Sequence, residues 1–326
     1  MIGILCGSKK ENLFSEKFHK LFKPLIKGNK IEIIVFSLSN TNLLDKTVYG
    51  KIISGESIVS AKTAIPPLIF NFASHYSRVD VKKCRSLMEV EDVVLINSTN
   101  QYNQYAIMNI ISSNKKFKKL LLPYSQLKKE DLILNLADFN NFILKPFYGS
   151  NYGKILYAKK IDSQFNVYKN RAFQCYHKFD IYDAINPIVR KGKWIILKTP
   201  ELLTFESSLL VTRVYLQKSY KGEWKILLKS PLTQDKITYG KLDQKTNTAL
   251  LNIIEYINCF IPDMGFCFID FTMSLFGTPY FLNLGGWDNN LLNDKQNLEA
   301  QTNLCKNILE FSRSHFEKRR YPNYVD

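Results

Sequence analysis

The chain lacks any run of about 18 or more uninterrupted apolar residues, the length a helix needs to cross a bilayer, so no membrane span is expected. Its opening, MIGILCGSKKEN, places charges directly after a very short apolar segment, which does not fit a secretory signal. A cytoplasmic location is the expectation. The six cysteines, at 6, 84, 175, 259, 267 and 305, never fall at C-x-x-C spacing, and several sit in apolar strand or helix patterns. That disfavours a disulfide framework or a zinc site and predicts buried free thiols. The four histidines are equally dispersed, with no H-x-x-x-H pair. No internal repeat and no low-complexity linker is present, so the domains are expected to pack against one another.

What is present is ordinary globular material: 326 residues, 45% hydrophobic, enough for two or three packed domains. The formal charge is +16, from 45 Lys plus Arg against 29 Asp plus Glu. A charge of that sign raises nucleic acid as a partner. Lysine outnumbers arginine, however, and the excess is spread along the chain. The densest cluster, Lys115-Lys116-Phe117-Lys118-Lys119, follows a helix pattern, where a helix C-terminus prefers cations anyway. No nucleic-acid reader motif is recognisable, and nucleic acid is not the expected partner. Attraction to anionic substrates or surfaces remains open.

Apolar periodicity divides the chain. Ile2–Cys6, a helical spacing through Phe14, Phe18, Leu21 and Phe22, and Ile31–Phe36 predict a β-α-β unit and hence a parallel sheet. Residues 37–66 are polar and lead through Pro66-Pro67 into a strand at Leu68–Phe72. Val93–Ile96 reads as a further strand and Gln101–Ile111 as a helix, which closes the first unit near residue 100. Beyond Leu122-Pro123, strands are predicted at Phe142–Lys145, Ile155–Ala158, Trp194–Lys198, Leu209–Gln217, Trp224–Leu228, Phe266–Thr272 and Pro279–Asn283. Helices are predicted at Ser125–Phe139, Thr246–Phe260 and Leu292–Phe316.

Two distant stretches carry the chemistry. Asn141–Ile155 (NFILKPFYGSNYGKI) is a strand ending in Lys145-Pro146, followed by a loop with Gly149 and Gly153. Glycines there permit close backbone approach, amide N–H groups can point at anion oxygens, and Lys145 adds a point charge, so the loop can fold over phosphates. Plain hairpin glycines are the competing reading, since Tyr148 and Tyr152 are bulky for such a loop. Phe268–Gly285 (FIDFTMSLFGTPYFLNLG) reads as two strands about a Gly277-Thr278-Pro279 turn, with Asp270 in the first and Asn283 in the second. Oxygen ligands on neighbouring strands suit magnesium. Arg213 sits mid-strand among apolar neighbours, so it either faces a cleft or pairs with a buried acid.

In this order these segments resemble the ATP-grasp proteins of the YheC/YheD family, described as endospore coat-associated. The likeness runs through Pro67–Asn71, Asn97, Leu121-Leu122-Pro123, Asn141–Ile155, Arg213–Gln217 with Gly222-Glu223-Trp224, and Phe268–Gly285. The resemblance implies an α/β and α+β chain: an ATP-grasp fold with an N-terminal parallel-sheet domain, residues 1–100, before an ATP-grasp domain of two α+β subdomains, residues 101–326. It implies ATP between those subdomains, with adenine near Trp194–Lys198. Lys145, Gly149, Ser150, Gly153 and Lys198 would bind the nucleotide, Arg213 would be catalytic, and Asp270 and Asn283 would hold magnesium. A ligase of that kind makes an acyl phosphate that a small-molecule or peptide acceptor attacks.

The departures bear on that expectation. Where the family ends its hairpin with Glu-x-Asn, this chain has Asn283 and Gly285, so only Asp270 keeps a carboxylate. Asn103-Gln104-Tyr105 stands where the family shows Asp-Lys before an aromatic. Magnesium binding is expected to be weak or lost. Asp288, three residues on, is either a displaced carboxylate or a helix cap. The alternative to an ATP-binding, ligase-like protein is a non-catalytic, spore-associated scaffold built on the same fold.

Overall fold

The computed structural model describes residues 1–26, 31–55, 57–73, 77–127, 140–149, 154–169, 172–177, 180–190, 192–205, 208–232, 244–293 and 297–320. Strand β1 (Ile2–Cys6), helix α1 (Glu11–Ile26) and strand β2 (Ile33–Asn42) form the predicted β-α-β unit, with Ile2 opposite Ile33 in a parallel ladder. Phe14, Phe18, Leu21 and Phe22, at helical spacing on one face of α1, are all buried. Strands β5 (Leu68–Asn71) and β6 (Val94–Ile96), flanking helix α2 (Arg78–Met88), continue the parallel set on the other side of β1. The polar stretch 37–66 is more ordered than its sequence suggests. It carries β2 on to Asn42 and then makes β3 (Thr47–Ser54) and β4 (Ser57–Ala64), giving the sheet order β4-β3-β2-β1-β5-β6. Outer antiparallel strands cover less apolar surface than central parallel ones, so no continuous apolar run marks them.

Helices α3 (Gln104–Ser113) and α4 (Lys115–Lys118) lead to a second, wholly antiparallel sheet. It comprises β7 (Tyr124–Leu127), β8 (Asn141–Pro146), β9 (Leu156–Ile161), β10 (Gln164–Lys169), β11 (Ala172–His177) and β12 (Trp194–Lys198), in the order β11-β10-β9-β8-β12-β7. Helix α5 (Ile181–Val189) packs against it through Ile181, Ile185 and Val189. The helix predicted from Ser125 is instead a strand at its start, because Tyr124–Leu127 pairs with the edge of β12; positions 128–139 lie outside the described residues. Strands β10 and β11 and helix α5 have no counterpart in the sequence reading, since Phe165 and Val167 alone mark β10 as half-buried.

The third sheet is β16-β15-β17-β18, built from β15 (Val211–Lys218), β16 (Trp224–Pro231), β17 (Phe266–Met273) and β18 (Pro279–Gly285). The short β13 (Thr204–Phe205) and β14 (Ser208–Leu209) precede it as a separate ladder. Helix α6 (Gln244–Asn258) packs nearby. In the region of the single long helix expected at Leu292–Phe316, the described residues form α7 (Asn290–Asn293) and α8 (Leu298–Arg320), and positions 294–296 lie outside the described residues. Among the described residues no helix is long and apolar enough to cross a membrane. All six cysteines are free thiols; Cys6, Cys84, Cys267 and Cys305 are buried as expected, whereas Cys175 and Cys259 are exposed.

What positions the site is the burial of β17 on both faces. Cys267, Ile269 and Phe271 join a core with α3 and α6, while Phe266 and Phe268 join another with α1, Phe72, Trp287 and α8. Each fully buried large side chain of this kind is worth about 1.5–3 kcal/mol. The second core unites the N-terminal sheet with the C-terminal one.

Buried asparagines add specificity to that union. Asn97, at φ 60, is a left-handed residue whose side chain accepts from the Gly265 and Phe266 amides at 2.7 and 3.0 Å and donates to the Phe266 carbonyl at 2.7 Å. Asparagine tolerates that backbone better than most residues. Gly265 must lack a side chain, because its Cβ would stand 2.3 Å from Ile96 Cγ2. Asn100 donates to the Asn71 and Ala73 carbonyls, at 2.8 Å each, and ties the end of β5 to the same corner. Asn97→Ala leaves three buried backbone groups short of a partner and is expected to cost about 2–4 kcal/mol. Urea unfolding measures it; an unchanged midpoint would show that the corner is solvated.

Candidate functional site

Because β17 is covered on both sides, Asp270 cannot reach solvent and must find a counter-charge inside the protein. Arg213 stands directly opposite it on β15. The guanidinium clasps the carboxylate with two bonds, Nε to Oδ1 at 2.7 Å and Nη2 to Oδ2 at 2.9 Å. Its Nη1 reaches Asp288 Oδ2 at 2.5 Å, and Tyr215 donates its hydroxyl to the same oxygen at 2.8 Å. Burial works against the charge on Arg213, but Asp270 more than offsets it, so the guanidinium stays protonated. Burial and then Asp288 hold the Tyr215 hydroxyl in its neutral form, above the usual range. Of the two roles open to Asp288, the one present is at the start of α7, where Oδ1 accepts from the Asn290 amide at 3.0 Å, while Oδ2 is taken by Arg213.

On the other strand of the hairpin, Asn283 lies opposite Asp270 and donates to its Oδ2 at 3.4 Å. Lys145, from β8 of the central sheet, reaches across to this hairpin. Its ammonium donates to the Leu282 carbonyl, to Asn283 Oδ1 at 3.3 Å and to Gln104 Oε1 at 3.4 Å. Gln104, buried in the first turn of α3, also grips the Leu284 backbone, accepting from its N–H at 3.1 Å and donating to its carbonyl at 2.7 Å. The result is one continuous buried network through Gln104, Lys145, Asn283, Asp270, Arg213 and Asp288. Burial lowers the Lys145 ammonium from 10.5 to about 7, with the nearby Asp270 charge acting in the opposite sense.

Four of the residues singled out in the sequence therefore meet: Lys145, Arg213, Asp270 and Asn283. Of the two alternatives for Arg213, the pairing with a buried acid is the one present. Lys198 does not join them. It is exposed at the end of β12, three residues, or about 10 Å, along from Ile195, the partner of Lys145. Gly149 takes φ +98, a value glycine tolerates, and Tyr148 beside it is largely exposed. Ser150 and Gly153 lie outside the described residues. Trp194, Trp224 and Trp287 are buried. Sequence reasoning missed Gln104, Tyr215 and Phe268 as members of the site. The one available signal was that Asn103-Gln104-Tyr105 departs from the family pattern at that point.

Magnesium needs oxygen ligands whose charge is not already matched. Here both Asp270 oxygens are taken by Arg213, Asn283 joins Lys145 to Asp270, and Gly285 offers no side chain. Among the described residues no group of three or more His, Cys, Asp or Glu is placed to hold a metal. The residues present do not fit the ion.

A mixed N-terminal sheet, an antiparallel central sheet and an antiparallel C-terminal sheet, the last two joined where Lys145 bonds to the β17–β18 hairpin, make up a chain with the ATP-grasp fold. Among solved structures, the chain is similar to the ATP-grasp ligase PsnB complexed with minimal precursor, at TM-score 0.58 and 11% identity over 94% of this chain and 98% of that one. It is similar to D-alanyl-alanine synthetase A from Vibrio cholerae at TM-score 0.56 and 10% identity, covering 94% and 98%. It is similar also to a D-alanine-D-alanine ligase from Helicobacter pylori at TM-score 0.52 and 17% identity, covering 93% and 97%. At such identities the fold is what is shared. No protein-family model matches the chain, and no curated protein matches it.

Two outcomes follow from the packing and charge of the site. A Cβ at Gly285 would stand 2.2 Å from Phe268 Cζ, so Gly285→Ala forces the ring to shift and is expected to cost about 1–3 kcal/mol. Adding Phe268→Leu should return part of that loss in thermal unfolding; an additive pair of losses would contradict the contact. Lys145 keeps its proton up to 10.5 when unfolded but only to about 7 when folded. Between those values the unfolded chain binds more protons, so Lys145 makes stability rise with pH by on the order of 1 kcal/mol per unit, while below them the cost of the buried charge is fully present. Lys145→Met should flatten the pH profile of the urea midpoint across that window, and equal slopes in the two proteins would refute it.

Proposed function

We propose that this chain is a nucleotide-binding protein of the YheC/YheD kind that takes ATP between its central and C-terminal sheets and does not use magnesium to transfer a phosphoryl group. The reading divides the chain into an N-terminal unit, 1–100, and an ATP-grasp unit, 101–326. The observation that carries it is the bidentate Arg213–Asp270 pair, because it matches internally the charge that metal-assisted phosphoryl transfer would need. Lys145, buried where the two sheets join, is the positive charge that would attract an anion to that junction. Ser150, Gly153 and Lys198 complete the nucleotide contacts in this reading, and Asp270 and Asn283 order the hairpin in place of holding a metal. The protein then acts as a binding or scaffold module, cytoplasmic and spore-associated.

A ligase-like reaction through an acyl phosphate is the second reading, favoured by the near-complete coverage of the ligase structures. Calorimetry with ATP, with and without magnesium, separates the two. The expected result is binding in chelator that magnesium changes by less than about threefold, no phosphate release, and a loss of about tenfold or more, roughly 1.4 kcal/mol, in Lys145→Ala. Undetectable binding in both proteins would end the nucleotide reading. Magnesium-dependent binding with phosphate release would move the conclusion to the ligase.

A further inference from the structure

Gly285 lies directly opposite Phe268 in the β17–β18 ladder. The two are spatially coupled: a Cβ at 285 would stand 2.2 Å from Cζ and 2.4 Å from Cε1 of the ring, so Phe268 holds its present position only because residue 285 has no side chain. The ring is in turn the floor under Arg213, whose guanidinium carbon lies 3.7 Å from the ring centroid. A guanidinium uses its face for stacking and its edges for hydrogen bonds, and the two demands do not compete. Seated on Phe268, Arg213 turns its edges to Asp270 at 2.7 and 2.9 Å and to Asp288 at 2.5 Å. It thus joins a fully buried carboxylate to a nearly buried one, with Asn283 at 3.4 Å from the first and Tyr215 at 2.8 Å from the second.

We infer that Arg213 is a built-in cation: locked by Phe268, which only Gly285 accommodates, it neutralises Asp270 and Asp288 where the family resemblance places magnesium. The departure at residue 285 and the misfit to the metal are then one change. A glycine admits the ring, the ring seats the guanidinium, and the guanidinium takes the carboxylates. Putting an asparagine back at 285 cannot by itself restore a metal site, because the ring and the arginine still stand in the way. Removing the tethered charge should do so, since two carboxylates and an amide oxygen are hard ligands suited to a small divalent cation.

The test measures Mn2+ binding by the loss of the free-ion paramagnetic resonance signal, with no nucleotide present, so its outcome is independent of whether ATP binds. Arg213→Gln should bind about one Mn2+ per chain, at least tenfold more tightly than the unaltered protein. Arg213→Lys, which keeps a tethered charge, should bind no better than the unaltered protein. Arg213→Gln combined with Asp270→Asn should lose the gain, which excludes binding at surface carboxylates. If Arg213→Gln does not fold alone, it should fold when Mn2+ is supplied, because binding to the native state draws the equilibrium towards it. A folded Arg213→Gln without the extra Mn2+, an equal gain in the Asp270→Asn combination or in Arg213→Lys, or a failure of Mn2+ to recover the fold would each overturn the inference.

Discussion

A carboxylate on a strand covered from both sides has no access to water, and the arrangement around Asp270 is governed by that constraint. Transfer of an isolated charge into such a place is costly enough that a partner is obligatory. Arg213 supplies it from the neighbouring strand with the two-point geometry at which a guanidinium binds a carboxylate best. The remaining members of the network then follow in order. Asp288 balances the second edge of the guanidinium, Asn283 joins Asp270 to Lys145, and Gln104 holds the hairpin backbone beside them.

The same network joins the layers of the fold. Asn97 and the shared core around Phe72, Phe266 and Trp287 bind the N-terminal sheet to the C-terminal one, with Phe72 stacked on Phe266 at 4.7 Å and edge-on to Trp287 at 4.4 Å. Lys145 provides the polar link from the central sheet to the hairpin. Its acceptors are carbonyl and amide oxygens, so the ammonium is solvated by the protein without a directly bonded carboxylate. That leaves it more easily discharged than a paired lysine would be.

Much of the architecture was legible in the residues. Aromatic spacing in α1 gave away a helix against a parallel sheet, and the apolar run Phe266–Thr272 with Asp270 inside it announced a buried strand with a carboxylate needing a partner. The elements that escaped were those whose burial is one-sided or set by a neighbour: β3 and β4 at the sheet margin, β10 and β11 in a polar stretch, and the first turn of a supposed helix that became β7 by pairing with β12. Of the site, the charged residues could be seen because a charge in an apolar run is conspicuous. Phe268 and Gln104 could not, since an aromatic in a strand and an amide before a helix look like ordinary structural residues until their contacts are known.

The sequence by itself therefore determined the long apolar strands and helices, where the unmatched charges lie along them, and the likeness that leads to the ATP-grasp fold, because periodicity and order are properties of the linear chain. Only the tertiary structure decided whom each charge meets. Arg213 and Asp270 are 57 residues apart, and cross-strand register, together with the space left by Gly285 for the Phe268 ring, places them in contact with each other. Register and free volume belong to the packed sheet, and no local pattern encodes them.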